Sequence, residues 1–141
     1  MKLTVVLITC LLFVSLLSHA QQFTDTTQAI SKDTILEPII SFEMASFDLG
    51  SVPEDTIITR VFTFSNTGND SLTILGVTAD CSCTVPEFEL KKYGEGASGQ
   101  IKVRFNGKDN AGRFIQYITV LHDAEVGYTF LTLKGFVERS F

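Results

Sequence analysis

Cys81-Ser82-Cys83 is the group best placed by residue type and spacing to do chemistry. On an extended strand, alternate residues share a face, so both sulfurs would point the same way. Their Cα atoms would then lie ~6.6 Å apart, near the upper end of the ~4.4–6.8 Å that a disulfide spans. A local kink would bring them closer. Three chemistries fit the pair. It can be a small structural disulfide or two buried thiols, a readily reduced redox pair, or a two-thiolate site for a soft ion such as Cu(I). Zinc fits less well, because His122 is the only other strong ligand once the N-terminal segment is set aside. The metal state of Cys81 and Cys83 is left open.

Other chemistries find few residues. A Ser-His-Asp or Cys-His device would have to use His122, and no G-x-S-x-G elbow is present. His122-Asp123 stands where a strand meets a turn, which reads as a solvated loop histidine. Glu54-Asp55 and Glu87/Glu89 are carboxylate pairs that turn and edge positions account for. Gly94-Glu95-Gly96-Ala97-Ser98-Gly99 matches G-x-G-x-x-G, but the residues after it alternate as a strand. A dinucleotide site needs a helix there to receive the pyrophosphate, so the string reads as a turn. Asn69-Asp70-Ser71 fits a glycosylation acceptor and otherwise is a polar turn. The expectation is a protein that is not an enzyme and has no cofactor.

The chain of 141 residues is 45% hydrophobic, with formal net charge −5. That bounds it to one ordinary domain and excludes overall disorder. The acidic balance excludes a general nucleic-acid binder. Met1-Lys2, the apolar run Leu3 to Leu17 and the small residues of Ser18-His19-Ala20 together predict a secretory signal peptide over 1–20, cleaved before Gln21. The run is shorter than the ~20 residues a membrane span needs. Leu7-Ile8-Thr9 before Cys10 lacks the small residues of a lipoprotein signal. The mature chain is expected to be soluble and extracytoplasmic, periplasmic or secreted, with no membrane span and in an oxidising compartment.

The elements that must position the cysteines read as strands. Residues 21–38 form a polar linker rich in Thr, Gln, Ser and Asp. From residue 39 to 141 the pattern is that of a β-domain. Ile57 to Asn66 alternates with Ile58, Phe62 and Phe64 on one face, and Asn66 to Asp70 is a turn signal. Leu72-Thr73-Ile74 begins a strand whose phase shifts at Gly76, a bulge signal. That strand runs on through Val77, Ala79, Cys81 and Cys83 until Pro86 breaks it. A turn is read at Gly50, a short strand at Phe88-Glu89-Leu90, and a turn from Tyr93 to Gly99. Ile101, Val103 and Phe105 face inward. Phe114, Ile118 and Val120 oppose Ile115, Tyr117 and Leu121. Leu131, Leu133 and Val137 share a face. No 3.6-residue period follows Pro38, and about seven short strands predict an all-β sandwich. Phe62, Phe64, Val103, Phe105, Ile118 and Leu133 are its predicted core.

These elements resemble a bacterial Ig-like family, the domain-of-unknown-function family fifteen-seventy-three, related to Hydin-type (ASH) and PapD-like sandwiches. The resemblance runs from about Ile40 to Val137. It rests on Phe47-Asp48-Leu49-Gly50-Ser51-Val52, Phe62 to Gly68, Leu72-Thr73-Ile74, Asp80-Cys81-Ser82-Cys83-Thr84, Gly99 to Phe105, Gly112-Arg113-Phe114 and Leu131 to Val137. Ser82 replaces the family's usual Gly between the cysteines, and Tyr93-Gly94-Glu95 replaces its Pro-Gly-Glu turn. The resemblance implies an Ig-like sandwich of about seven strands in an extracytoplasmic setting, and no activity.

The reading that follows is an exported, non-catalytic binding or scaffolding module. It would take a protein partner, one mode being strand addition at an exposed sheet edge. The alternative is a small metal-binding or thiol-redox protein acting through Cys81 and Cys83.

Overall fold

Alternation with period two is what these residues can satisfy by burying one face of each strand, and the architecture follows from it. The computed structural model describes residues 36–108 and 110–139; the signal peptide and all but the end of the linker expected from the sequence lie outside the described residues. Nine strands run in the order β1 (Ile40–Phe42), β2 (Ser46–Pro53), β3 (Ile57–Asn66), β4 (Leu72–Ala79), β5 (Thr84–Phe88), β6 (Lys92–Tyr93), β7 (Ser98–Asn106), β8 (Gly112–His122) and β9 (Tyr128–Glu138). They form a four-stranded sheet, β1-β3-β7-β5, and a five-stranded sheet, β2-β9-β8-β4-β6. The pairs are antiparallel except β2 with β9, which is parallel. The protein is an all-β sandwich of two sheets.

The inward faces meet as one core, and all six core residues expected from the alternation are fully buried. Phe62 and Phe64 of β3 and Val103 and Phe105 of β7 oppose Ile118 of β8 and Leu133 of β9. The longest ladder is β8–β9, in register from Gly112 opposite Val137 to Leu121 opposite Tyr128. The bulge expected at Gly76 is present, as a register shift between Ile74 and Gly76 against β8.

Four local readings are corrected. Gly50 is not a strand end. It sits inside β2 at a left-handed φ of 64°, where the register against β9 shifts between Asp48 and Ser51. Such a backbone favours glycine, and the Asp48 carboxylate accepts from the Gly50 N–H at 2.9 Å. Pro86 does not break a strand. It lies within β5, an edge strand, where a missing N–H need not interrupt the ladder. Leu90 lies outside any strand and is exposed. The stretch read as a turn from Tyr93 begins in β6, whose two residues pair with Leu72 and Thr73 and are too few to show a period.

Candidate functional site

The two cysteines occupy the connection between the sheets. β4 belongs to the five-stranded sheet and β5 to the four-stranded one, so the chain crosses the sandwich between Ala79 and Thr84. The expected continuous strand through Cys83 is therefore absent. β4 ends at Ala79, and residues 80–83 turn. The turn is closed by the Thr84 N–H donating to the Cys81 carbonyl at 3.1 Å. It brings the cysteine Cα atoms to 5.1 Å, well inside bonding range, and Cys81 and Cys83 are joined as a disulfide. The kink that a flat strand would have lacked is thus supplied by the crossover.

Both sheets hold this turn. The Asp80 N–H donates to the Tyr117 carbonyl on β8 at 3.2 Å, and the Asn106 N–H at the end of β7 donates to the Cys83 carbonyl at 2.8 Å. The Cys83 N–H also points at the Cys81 sulfur, 2.9 Å away. Cys83 packs against the core, and both cysteines are half-buried while Ser82 is exposed. A disulfide that is only partly buried can be attacked by an incoming thiolate, and the reduced pair would offer two sulfur donors. Among the described residues, no group of three or more His, Cys, Asp or Glu side chains converges as a metal site.

A bond between residues two apart closes a very short loop and removes little entropy from the unfolded chain, on the order of 1–2 kcal/mol. Mild reductant is expected to open the pair while the sandwich stays folded. Thiol counting should rise by two, with circular dichroism unchanged and a melting point lowered by no more than about 10 °C. Collapse of the melt on reduction would show instead that the pair holds the fold.

His122 is not the solvated loop residue its position suggested. It ends β8 on the inward side, opposite Ile74, and is 3% exposed. Its Nε2 lies 3.0 Å from the Thr129 hydroxyl, and its Nδ1 has no hydrogen-bond partner. Burial pushes the imidazole pKa down, opposed by the nearby Tyr128 backbone and the Asp123 charge. A histidine lowered in the folded state stabilises the fold above its unfolded value of about 6.5, and that contribution is lost as pH falls through the lower folded value. Melting temperature is therefore expected to drop from pH 7.5 toward pH 5. The drop should be shallower for His122→Gln; equal slopes would exclude His122 as its source.

The carboxylate pairs take ordinary surface roles. Glu87 bonds Arg104 at 3.0 Å, and Glu89 pairs with Lys91 at 2.5 Å. In the glycine string, Gly94 to Ala97 form the turn between β6 and β7, with Gly96 at φ 71°, and Ser98-Gly99 begin β7. No helix among the described residues is long and apolar enough to cross a membrane.

The larger unexplained feature lies on the outward side of the five-stranded sheet. Ile115, Tyr117 and Leu121 of β8 and Tyr128, Phe130 and Phe136 of β9 all project there and are exposed, Phe130 at 55%. The register sets Phe130 opposite Thr119 and Tyr128 opposite Leu121, so these side chains form one stripe. Tyr128 and Phe130 meet edge to face with centroids 5.3 Å apart. The sequence showed Ile115, Tyr117 and Leu121 on a common face, but whether that face was covered depended on a neighbouring layer.

Similar structures bear out the fold alone. A protein of unknown function from Porphyromonas gingivalis W83 superposes with a TM-score of 0.65 at 10% identity, covering 77% of this chain and 51% of that one. This chain thus spans about half of that protein's length. The ASH/PapD-like domain 7 of human CEP192 superposes with a TM-score of 0.60 at 7% identity, covering 86% of this chain and 99% of that one. The VesB protease of Vibrio cholerae matches at 13% identity with a TM-score of 0.54, over 70% of this chain and only 31% of the protease. No curated protein matches. Residues 40–137, from the start of β1 to the penultimate residue of β9, match the protein-of-unknown-function family DUF1573, and the chain belongs to that family.

Proposed function

We propose that this chain is an exported, non-catalytic binding or scaffolding module that engages a protein partner through the outer face of its five-stranded sheet. The stripe from Phe136 to Tyr128 is the observation that carries this reading. Exposed apolar patches of this extent mark interaction surfaces, whereas scattered single residues do not. Half-exposed Tyr and Phe are the residue types that supply contact area at low entropic cost.

Strand addition at an edge has less support. β1 has three residues, β5 carries Pro86, and β2 is bulged at Gly50 and ends at Pro53. Short, proline-bearing and bulged edges are the devices by which sheets discourage pairing with another chain. Export rests on the charged start, the apolar run and the Ser18-x-Ala20 site.

The test is a pull-down with the exported protein and its Phe130→Glu variant, after mass spectrometry of the mature N-terminus. A start at Gln21 and a partner retained by the wild type but not by the variant are expected. A start at Met1 would end the export reading, a lipidated Cys10 would replace cleavage before Gln21 by a lipid-anchored start, and equal retention would end the face reading.

The partly buried disulfide favours a second reading, thiol-redox or soft-metal chemistry at Cys81 and Cys83. Activity or Cu(I) binding that disappears in Cys81→Ser and Cys83→Ser would put it first. A module working through the sheet face should tolerate both exchanges.

A further inference from the structure

The outer face of the five-stranded sheet has the apolar area and charge layout to receive a copy of itself. From Arg113 to Asp123 the face is roughly 34 Å long at the usual strand rise. Tyr117, Tyr128, Phe130 and Phe136, each about half exposed, present roughly 300–500 Å² between them on the usual area of an aromatic side chain. Ile115 and Leu121 add to this. Stable interfaces bury ~800 Å² per partner, so these rings supply about half of that, which fits a weak, reversible dimer. A sheet face also suits this partner, since two sheets pack face to face with their strands within about 30°.

The charges at the two ends differ. Beside the Gly112 end stand Arg113, which makes no ion pair among the described residues, and Lys134, which pairs with Asp48 at 3.7 Å. Glu138, also at that end, is hydrogen-bonded by the Ser51 hydroxyl. At the opposite end, the β8–β9 turn carries Asp123 and Glu125, with Lys92 across the sheet on β6. A two-fold axis in the interface plane and perpendicular to the strands exchanges the ends, setting Arg113 of one copy against Asp123 and Glu125 of the other. An axis parallel to the strands would set like ends together. The perpendicular axis passes near the middle of β8, where Tyr117 and Phe130 would meet their own counterparts.

Resting on the sheet-face reading above, we infer that this face is a self-association surface, forming an isologous dimer with the strands of the two copies antiparallel across it. The net charge, −5 for the whole sequence and one charge more negative once Lys2 leaves with residues 1–20, opposes approach at low salt, so sedimentation is measured at ~0.15 M salt, where the Debye length is about 8 Å.

The expected result is reversible, concentration-dependent dimerisation of the full exported chain. Phe130→Glu, which would place two carboxylates near the axis, should weaken it at least about tenfold with the melting curve retained. Arg113→Glu should weaken it about threefold or more, and adding Glu125→Arg should restore it, which a merely unfolded variant would not do. A wild type that stays monomeric to ~1 mM, or a dimer indifferent to both Phe130→Glu and the charge exchange, overturns the inference. Should the wild type be monomeric while Phe130→Glu still abolishes capture of a different protein, self-association is excluded and the binding-module reading stands. Loss of both effects removes both.

Discussion

Replacing Asn66 by alanine is expected to lower the unfolding free energy by about 3–5 kcal/mol, because four hydrogen bonds converge on one buried amide. The Asn66 Oδ1 accepts from the Ile39 N–H at 3.2 Å and the Gly68 N–H at 3.0 Å. Its Nδ2 donates to the Asp70 carbonyl at 2.6 Å and the Tyr93 carbonyl at 2.9 Å. Gly68 and Tyr93 are themselves buried, so water cannot readily replace the amide there, and an unsatisfied buried group costs ~1–3 kcal/mol. The main chain of Asn66 is bonded too, its N–H to the Ala97 carbonyl and its carbonyl from the Gly96 N–H. One residue thereby ties together the entry segment, the β3–β4 turn and the glycine-rich β6–β7 turn. Asn66→Asp should be at least as damaging, since it aims a carboxylate oxygen at two carbonyls. Urea titration with an unchanged slope checks the figure. A loss below ~1 kcal/mol for both variants would show that the turns close without this amide.

Phe64→Ala is expected to cost about 3–5 kcal/mol, the range for emptying a core aromatic site. Phe64 is fully buried, and its ring meets Phe42 at 5.6 Å and Tyr93 at 4.9 Å between centroids. The space for its tip is made by Gly99 on β7, where a Cβ would lie 2.4 Å from the Phe64 Cζ and 2.5 Å from the Tyr93 ring. Gly99→Ala should therefore be harmful in the wild type and less so beside Phe64→Ala, where one of the two rings is gone. The double-mutant cycle measures that coupling. Additive losses would mean that the two residues do not share the site, and a Phe64→Ala cost below ~1 kcal/mol would place the ring outside the core.

Much of the sandwich was legible in the residues themselves. Burial on one face of a strand imposes period two, and each of the six core residues named from alternation is buried. The bulge at Gly76 announced itself as a break in that period. The cysteine spacing limits the chemistry of Cys81 and Cys83 to a few forms, although they stand in a turn and not on a strand. What periodicity could not carry was whatever depended on a second layer or a distant segment. The turn that brings the cysteines together exists because the chain changes sheets there, and crossovers leave no period. Asn66 read as turn punctuation, since its partners at Ile39 and Tyr93 lie 27 residues away on either side. His122 looked like a surface residue until Ile74 and Thr129 were found beside it. The outer face is the sharpest case. Its residues alternate as regularly as the core, and alternation assigns side chains to faces without saying which face another layer will cover. The opposing sheet covers the side bearing Phe114, Ile118 and Val120, and leaves the side bearing Tyr117 and Phe130 to solvent.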